Sequence, residues 1–262
     1  MARSSLSTHD TASLRKGNHL SHGQGAENGY AAAQDGGGAE FGNFRSVTPG
    51  GHTLDTSQPA FPVYHRRFAN PAPLGLVAFA LPSFVLSLIN IGARGVTVPN
   101  VVVGPAIFYA GVGQTLASMW EFASGNTLAA TSFATYGAFW FAYAFIVSPW
   151  SGIEAAYASP LEFANGVAFF LWGFFIVTFI FLIASLRSSI TLACIFLSVD
   201  AVFLCLGIAE LGTVGNPHNF QIAGGAFGLV ASALAWYVAL SNLLTPDTSF
   251  FTLPVGDLTK RD

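Results

Sequence analysis

Six stretches of this 262-residue chain are almost continuously apolar, and polar or charged residues separate them. Each stretch approaches the roughly 20 residues that a helix needs to cross a bilayer. The stretches are apolar throughout rather than at every second position, which favours helices over a transmembrane barrel. The pattern predicts membrane-spanning helices at residues 71–91, 100–119, 127–148, 165–185, 189–210 and 220–243.

Composition agrees with this pattern and sets the first 69 residues apart. The chain is 52% hydrophobic and 9% charged, whereas about 25% of residues are charged in an average soluble domain. Residues 1–69 are rich in Gly, Ser, Ala, Asn and His, and such sequence cannot bury enough apolar surface to offset the entropy of ordering. We therefore expect an all-α integral membrane protein with a disordered cytoplasmic tail at 1–69, a six-helix transmembrane domain at 70–245 and a short cytoplasmic tail at 246–262.

The basic residues predict the orientation in the membrane. With six spans the two termini share a side, and that side carries most of the basic residues near helix ends, whereas the opposite side has only Arg94. Basic residues accumulate on the cytoplasmic side, so both termini are expected there. Lys16 and Lys260 are the only lysines. They are therefore the candidate ubiquitin sites under the hypothesis that ubiquitin tagging removes the protein from the membrane. The basic residues on the shared side are Arg66, Arg67, Arg187, Lys260 and Arg261.

The segment Asn70-Pro71-Ala72-Pro73-Leu74-Gly75-Leu76 stands at the start of the first apolar stretch. Pro71 and Pro73 lack N–H groups and suit the first turn of a helix, where those groups have no partner, and Asn70 is a natural N-cap. The free N–H groups of this turn and the positive end of the helix dipole can receive a small anion. Two interpretations stay open: a rigid helix cap alone, or a place where a substrate anion binds.

Further short motifs follow in a fixed order from Asn70 to about Gly256. After Asn70–Leu76 they are Phe108–Gly111 leading to Gln114, Glu121, Gly125–Thr127, Thr135–Gly137 with Phe139 and Trp140, Leu171–Gly173 and Thr252–Gly256. Together they resemble the acetate uptake transporter family, which includes bacterial acetate/succinate permeases and fungal acetate permease and acetate-tolerance proteins. The long N-terminal tail is more similar to fungal than to bacterial members.

The resemblance implies a function and a set of pore residues. It implies a six-helix protomer with its own central pore, assembled as a homohexamer in the plasma membrane, that passes acetate and other small monocarboxylates, with succinate as a further candidate, and is linked to protons. It also implies that Phe79 and Tyr136 narrow the pore together with a fifth-helix residue. That residue is Val199 here, where the family has a leucine, so the pore is expected to be slightly wider.

No basic residue lies inside any predicted span. A carboxylate that crosses the protein must therefore be held by helix N-termini, amides and hydroxyls, or lose its charge by travelling with a proton. Gln114, Asn126, Thr131 and Tyr136 are the candidate side chains, with Gln114 and Thr131 assigned to substrate binding. No cofactor or metal is expected, and the two cysteines have no His or Cys at metal-ligand spacing.

Asp200 is an ionisable residue near the middle of the fifth predicted helix. Such a residue costs a few kcal/mol in a membrane and is a functional candidate by default. If Val199 faces the pore, Asp200 is turned about 100° away, toward a neighbouring helix. A structural carboxyl between helices and a proton-coupling group are both open interpretations. Glu121 matches a family position and is a second candidate for proton coupling, although it and Glu210 lie at predicted helix ends, where solvated carboxylates are ordinary.

Two other classes of function compete with transport. A membrane sensor or regulator of the acetate response would also explain the long tail. An enzyme is disfavoured because the sequence has no HExxH or GxSxG motif and no paired acids on one face, and a net charge of −3 does not suggest nucleic acid.

The last predicted helix carries a stripe of small residues, Gly224, Gly225, Gly228 and Ala231. Such a stripe predicts close helix packing, either between protomers or within one protomer.

Overall fold

The fold consists of six long helices, which confirms the prediction of an all-α membrane protein. The computed structural model describes residues 69–247 and 249–258, and this part of the chain contains no β-strand. Each helix is long and apolar enough to cross a membrane. Almost all of the predicted N-terminal tail lies outside the described residues, as do Lys16 and Lys260. The helices are α1 (Ala72–Asn90), α2 (Pro99–Ala123), α3 (Thr127–Val147), α4 (Pro160–Ser185), α5 (Ile190–Leu211) and α6 (Pro217–Leu243).

Polar caps explain why two helices begin earlier than predicted. Helix α4 begins at Pro160 instead of residue 165, and the Ser159 side chain accepts a hydrogen bond from the Glu162 N–H at 3.2 Å. Helix α6 begins at Pro217 instead of residue 220, behind the cap residue Asn216. Both α4 and α6 have proline in the first turn, where proline is well tolerated. The apolar stretch begins later than the helix because the first turn, next to the cap, contains polar residues.

The start of α1 and the end of α6 meet on one side of the helix bundle. Pro71, not Asn70, has the N-cap position, but the Asn70 side chain still accepts the Ala72 N–H at 3.0 Å. The Asn70 amide also donates to the Asn242 side chain at 3.1 Å. This contact ties the first span to the last, as expected for an even number of spans.

The small-residue stripe of α6 packs inside the protomer. A Cβ atom added to Gly224 would meet the Leu206 side chain of α5 at 2.7 Å. One added to Gly225 would lie 2.9 Å from the Ser87 carbonyl oxygen of α1, and one added to Gly228 would collide with the Ser87 hydroxyl. The glycines therefore allow α6 to approach both α1 and α5, which decides between the two interpretations of the stripe.

Helix α2 is irregular along its first half but packs closely on α3. Pro105 lies inside the helix, and the turns from Ala106 to Gly111 widen to a π-helix, as occurs where an i→i−4 hydrogen bond is missing. Gly137 of α3 faces Gly111 and Thr115, which lie 3.2 and 3.0 Å from the position of an added Cβ. This contact fixes the level at which α2 meets the centre of α3.

The C-terminal segment is held against the start of α5. The Gly256 carbonyl accepts the Ile190 N–H at 2.8 Å, and Val255 accepts the Thr191 hydroxyl at 2.9 Å. The Tyr237 hydroxyl of α6 donates to the Pro254 carbonyl at 2.6 Å. The expected C-terminal tail therefore includes a segment that packs on the helix bundle.

Candidate transport pathway

Two cavities enter the helix bundle from opposite sides. The terminal cavity, of about 430 Å³, opens where α1 begins and α6 ends, and the C-terminal segment forms part of its wall. The opposite cavity, of about 340 Å³, lies toward the other ends of α1, α3, α5 and α6. Either volume is ample for a small organic acid.

Phe79, Tyr136 and Val199 are the residues that line both cavities, and we call them the neck. They come from α1, α3 and α5, and all three are buried. The ring centres of Phe79 and Tyr136 are 6.0 Å apart. The structure thus brings the three residues of the expected constriction together between the two cavities.

The Tyr136 hydroxyl group at the neck is oriented by Thr178 of α4. Tyr136 and Thr178 are buried, and their hydroxyl oxygens are 3.0 Å apart, with either able to donate. When Thr178 donates, the Tyr136 proton remains available to a carboxylate. Sequence reasoning missed Thr178, although a hydroxyl amid the apolar residues of the fourth span was a signal that could have found it.

Three helix N-termini surround the terminal cavity. Ala72 of α1, Ala129 of α3 and Leu192 of α5 lie in first turns and line its wall. Asn126 caps α3 by accepting the Ala129 N–H at 3.3 Å, and Ser189 caps α5 by accepting the Leu192 N–H at 3.2 Å. Each N-terminus carries about half a positive charge. Together they add positive potential to a cavity whose described lining contains no Lys, Arg or His and one carboxylate, that of Asp257.

The predicted substrate-binding residues do not all reach this cavity. Gln114 lines it, and its Oε1 atom has no hydrogen-bond partner among the described residues. Thr131 lines neither cavity, and its exposed hydroxyl donates to the Thr127 carbonyl at 2.8 Å. The structure therefore does not place Thr131 on the candidate pathway. Thr131 and Tyr136 are five positions apart on α3, which corresponds to a rotation of about 140° about the helix axis.

The Asn70–Leu76 segment contributes to the pathway through two of its residues. Ala72 and Leu76 line the terminal cavity, whereas Leu74 is exposed. Gly75 faces the Phe133 ring, which a Cβ atom would strike at 2.6 Å. The segment begins α1, and Gly75 lets α3 approach α1 closely.

The opposite cavity has polar residues that sequence reasoning did not assign. Ser83, Ser87 and Asn90 line it from one face of α1, and Glu210 and Gln221 line it from α5 and α6. Spacings of four and three residues place the α1 side chains on the same helix face, so this signal was present in the sequence. The cavity therefore offers hydroxyl and amide groups to a polar solute.

The two candidate proton-coupling acids have different surroundings. Asp200 is buried and lines neither cavity, as expected if Val199 faces the pathway, and its Oδ1 atom has no partner among the described residues. Glu121 is also buried, and its side chain is hydrogen bonded to that of Asn126, which lines the terminal cavity. The expectation of a solvated carboxylate at Glu121 is wrong because α2 continues to Ala123 and turns Glu121 inward.

Replacing Asp200 by asparagine is expected to leave acetate uptake within about twofold of the parent and to preserve its dependence on pH. The amide has the shape of the carboxyl and occupies a site outside both cavities. Initial uptake rates between pH 5 and pH 8 would check this. A displaced pH profile would place Asp200 in proton coupling.

The fold defines a multi-pass α-helical membrane protein, and the two cavities that share the neck residues form a candidate pathway through its bundle. The chain belongs to the GPR1/FUN34/yaaH family, whose model matches residues 51–260. It is 46% identical over 189 residues to the Meiotically up-regulated gene 86 protein of Schizosaccharomyces pombe, covering 71% of this chain and 62% of that protein. It is also 46% identical over 199 residues to Acetate permease A of Emericella nidulans, covering 73% and 67%.

Bacterial proteins share the same region. The Succinate-acetate/proton symporter SatP of Escherichia coli is 32% identical over 192 residues, which cover 73% of this chain and 97% of SatP. A solved structure described as the bacterial acetate channel SatP matches with a TM-score of 0.64 and 27% identity, covering 72% of this chain and 100% of SatP. The six-helix bundle therefore corresponds to the whole bacterial protein.

Proposed function

We propose that this protein carries acetate and other small monocarboxylates across a membrane, linked to proton movement, with succinate as a further candidate substrate. The observation that carries the proposal is the neck, where two cavities from opposite sides of the bundle share Phe79, Tyr136 and Val199. The family relatives named for acetate permease and succinate-acetate/proton symport activities support the choice of substrate. We propose transport, not catalysis, as the activity.

The neck favours small solutes that can lose their charge. Phe79 and Val199 offer only apolar surface. A strongly hydrated ion must therefore lose water molecules there without gaining hydrogen bonds from these two side chains. The Tyr136 hydroxyl supplies one hydrogen bond to a carboxyl group. A protonated monocarboxylic acid meets these conditions better than a dicarboxylate, because a dicarboxylate must lose the hydration of two carboxyl groups.

The terminal cavity favours the charged form of the same solute. Three helix N-termini attract a carboxylate without the strong ion pair that an arginine would form, and Gln114 and Asn126 offer amide groups. Weak binding of this kind lets a solute leave as readily as it binds. We propose that the carboxylate resides in this cavity and crosses the neck with a proton.

Labelled acetate uptake into liposomes that contain the purified protein tests the proposal. We expect uptake above that of empty vesicles, saturation by unlabelled acetate, and accumulation when the outside is more acidic than the inside. Empty vesicles are the necessary control because acetic acid also diffuses through lipid. Uptake equal to that of empty vesicles would reject transport and favour the alternative of a membrane sensor or regulator.

We further propose a homohexamer in the plasma membrane with both termini cytoplasmic. The family resemblance supports the hexamer and the location. Arg187 lies between α4 and α5, on the side of the terminal cavity, whereas Arg94 lies between α1 and α2 on the other side. With the basic residues that precede α1, this distribution favours the cytoplasm on the side of the terminal cavity.

A further inference from the structure

One face of α2 carries a buried row of polar side chains. Gln114, Ser118 and Glu121 are spaced by four and three residues and are 1%, 0% and 2% exposed. Each has a side-chain oxygen without a hydrogen-bond partner among the described residues. Burying an unsatisfied polar group is unfavourable, so three such groups on consecutive turns indicate a shared role.

Both ends of this polar row reach the terminal cavity. Gln114 lines the cavity directly, and Glu121 is hydrogen bonded to Asn126, which lines the cavity mouth at the start of α3. Gln114 lies nine residues before the end of α2, and Tyr136 lies nine residues after the start of α3. At 1.5 Å per residue, both lie about 13 Å deep, so the polar row extends from the mouth to the level of the neck.

The spacing of the row suits water molecules. Successive side chains are separated by about 6 Å and about 4.5 Å along the helix axis, and one water with two hydrogen bonds can bridge such a gap. Buried waters characteristically join polar groups that have no other partner. Water is therefore the ligand whose hydrogen bonds match the unpaired oxygens.

Glu121 is the only acidic or basic residue in the elements that surround the row. Helices α1 and α3 pack against α2, and neither contains Asp, Glu, Lys, Arg or His. The tyrosine Tyr136 of α3 turns toward α4 and α5, where it contacts Phe181 and Phe196. Glu121 is thus the ionisable group of the row itself, and Asp257 of the C-terminal segment is a second carboxylate, which lines the terminal cavity.

We propose that Gln114, Ser118 and Glu121 bind a chain of water molecules that conducts the coupled proton between the mouth of the terminal cavity and the neck, beside the path of the carboxylate. This inference rests on the proposed transport function. A monocarboxylic acid that passes the neck toward the terminal cavity gives its proton to the water near Gln114. The Glu121 carboxylate accepts a proton from the chain and releases it at the mouth, while the carboxylate anion leaves through the cavity. Transport in the other direction reverses each transfer.

Glu121→Gln tests this proposal in liposomes containing the full chain, with Asp200→Asn as the matched control. Both substitutions neutralise a buried carboxyl that has an unpaired oxygen. We expect Glu121→Gln to lower acetate accumulation driven by a pH gradient at least tenfold, while exchange of labelled for unlabelled acetate at equal pH stays within about twofold. Exchange needs no net proton release, whereas accumulation does. Asp200→Asn should leave both measurements within about twofold of the parent.

A second pair of variants tests the water chain without changing the charge. Ser118→Val removes the hydroxyl and adds volume beside the row, and it should reduce gradient-driven accumulation while sparing exchange. Ser118→Ala removes the hydroxyl without adding volume and should reduce accumulation less. Undiminished accumulation in Glu121→Gln, or an equal loss of accumulation and exchange in both Glu121→Gln and Ser118→Val, would overturn the proposal. Acetate transport by the parent without any pH-driven accumulation would also overturn it, leaving the transport function intact. Absence of parent transport would instead reject the proposed function itself.

Discussion

Phe79→Ala is expected to raise the rate of lactate or succinate uptake relative to acetate at least tenfold. The Phe79 ring lines both cavities and faces Tyr136 at the neck. Its removal enlarges the space at the neck, between the two cavities. A tenfold change in relative rate corresponds to about 1.4 kcal/mol in the barrier. Uptake of each labelled acid, measured separately with the same liposome preparation, gives the ratio.

Phe84→Ala is the matched control for this measurement. Phe84 is on the same helix and loses the same ring, but it packs on Trp236 with ring centres 5.2 Å apart and lines none of the described cavities. We expect it to keep the parent selectivity. If Phe79→Ala retained the parent ratio, or if Phe84→Ala changed the ratio equally, Phe79 would not be the constriction.

Gly225→Ala is expected to destabilise the protein by about 1–3 kcal/mol, the usual effect of overfilling a packed core. The added Cβ atom would lie 2.9 Å from the Ser87 carbonyl oxygen and 2.7 Å from the Ile91 side chain. A backbone carbonyl cannot rotate away as a side chain can, so α6 must move from α1. The apparent unfolding temperature in detergent should fall, and acetate transport should fall with it because α1 carries Phe79.

Gly173→Ala provides the contrasting substitution. Gly173 also lies within a long helix, but it is exposed and no atom lies within 4 Å of an added Cβ. Alanine is favoured over glycine in a helix by about 1 kcal/mol, so the unfolding temperature should stay the same or rise. A Gly225→Ala protein as stable as the parent would show that α1 and α6 are not closely packed at this point.

The six spans could be predicted because each depends on local sequence. A helix in a bilayer must be apolar over its length and satisfy its own backbone hydrogen bonds, and both requirements can be read without knowing any neighbour. The ends were less accurate where polar residues belonged to the helix. The charge of Glu121 indicated that α2 ends before it, yet Glu121 is buried within the helix.

The candidate site could be predicted only in part. The family resemblance pointed to Phe79, Tyr136 and Val199, and the structure brings them together at the neck. Local residue chemistry also suggested Thr131, which the helix turns away from the pathway, and it did not suggest Thr178, which pairs with Tyr136. Polar residue type alone does not reveal which face of a membrane helix meets the pathway.

The sequence by itself determined that this is a six-helix membrane protein without Lys or Arg in its spans, with the start of the first span and the end of the last span on one side. Only the tertiary structure decided which faces are internal, because lipid and protein core are both apolar and hydrophobic periodicity cannot distinguish them. It placed the α6 glycines inside the protomer and placed Phe79, Tyr136 and Val199 between two cavities. It also buried Glu121, since the inward direction of a side chain depends on the helices that pack around it.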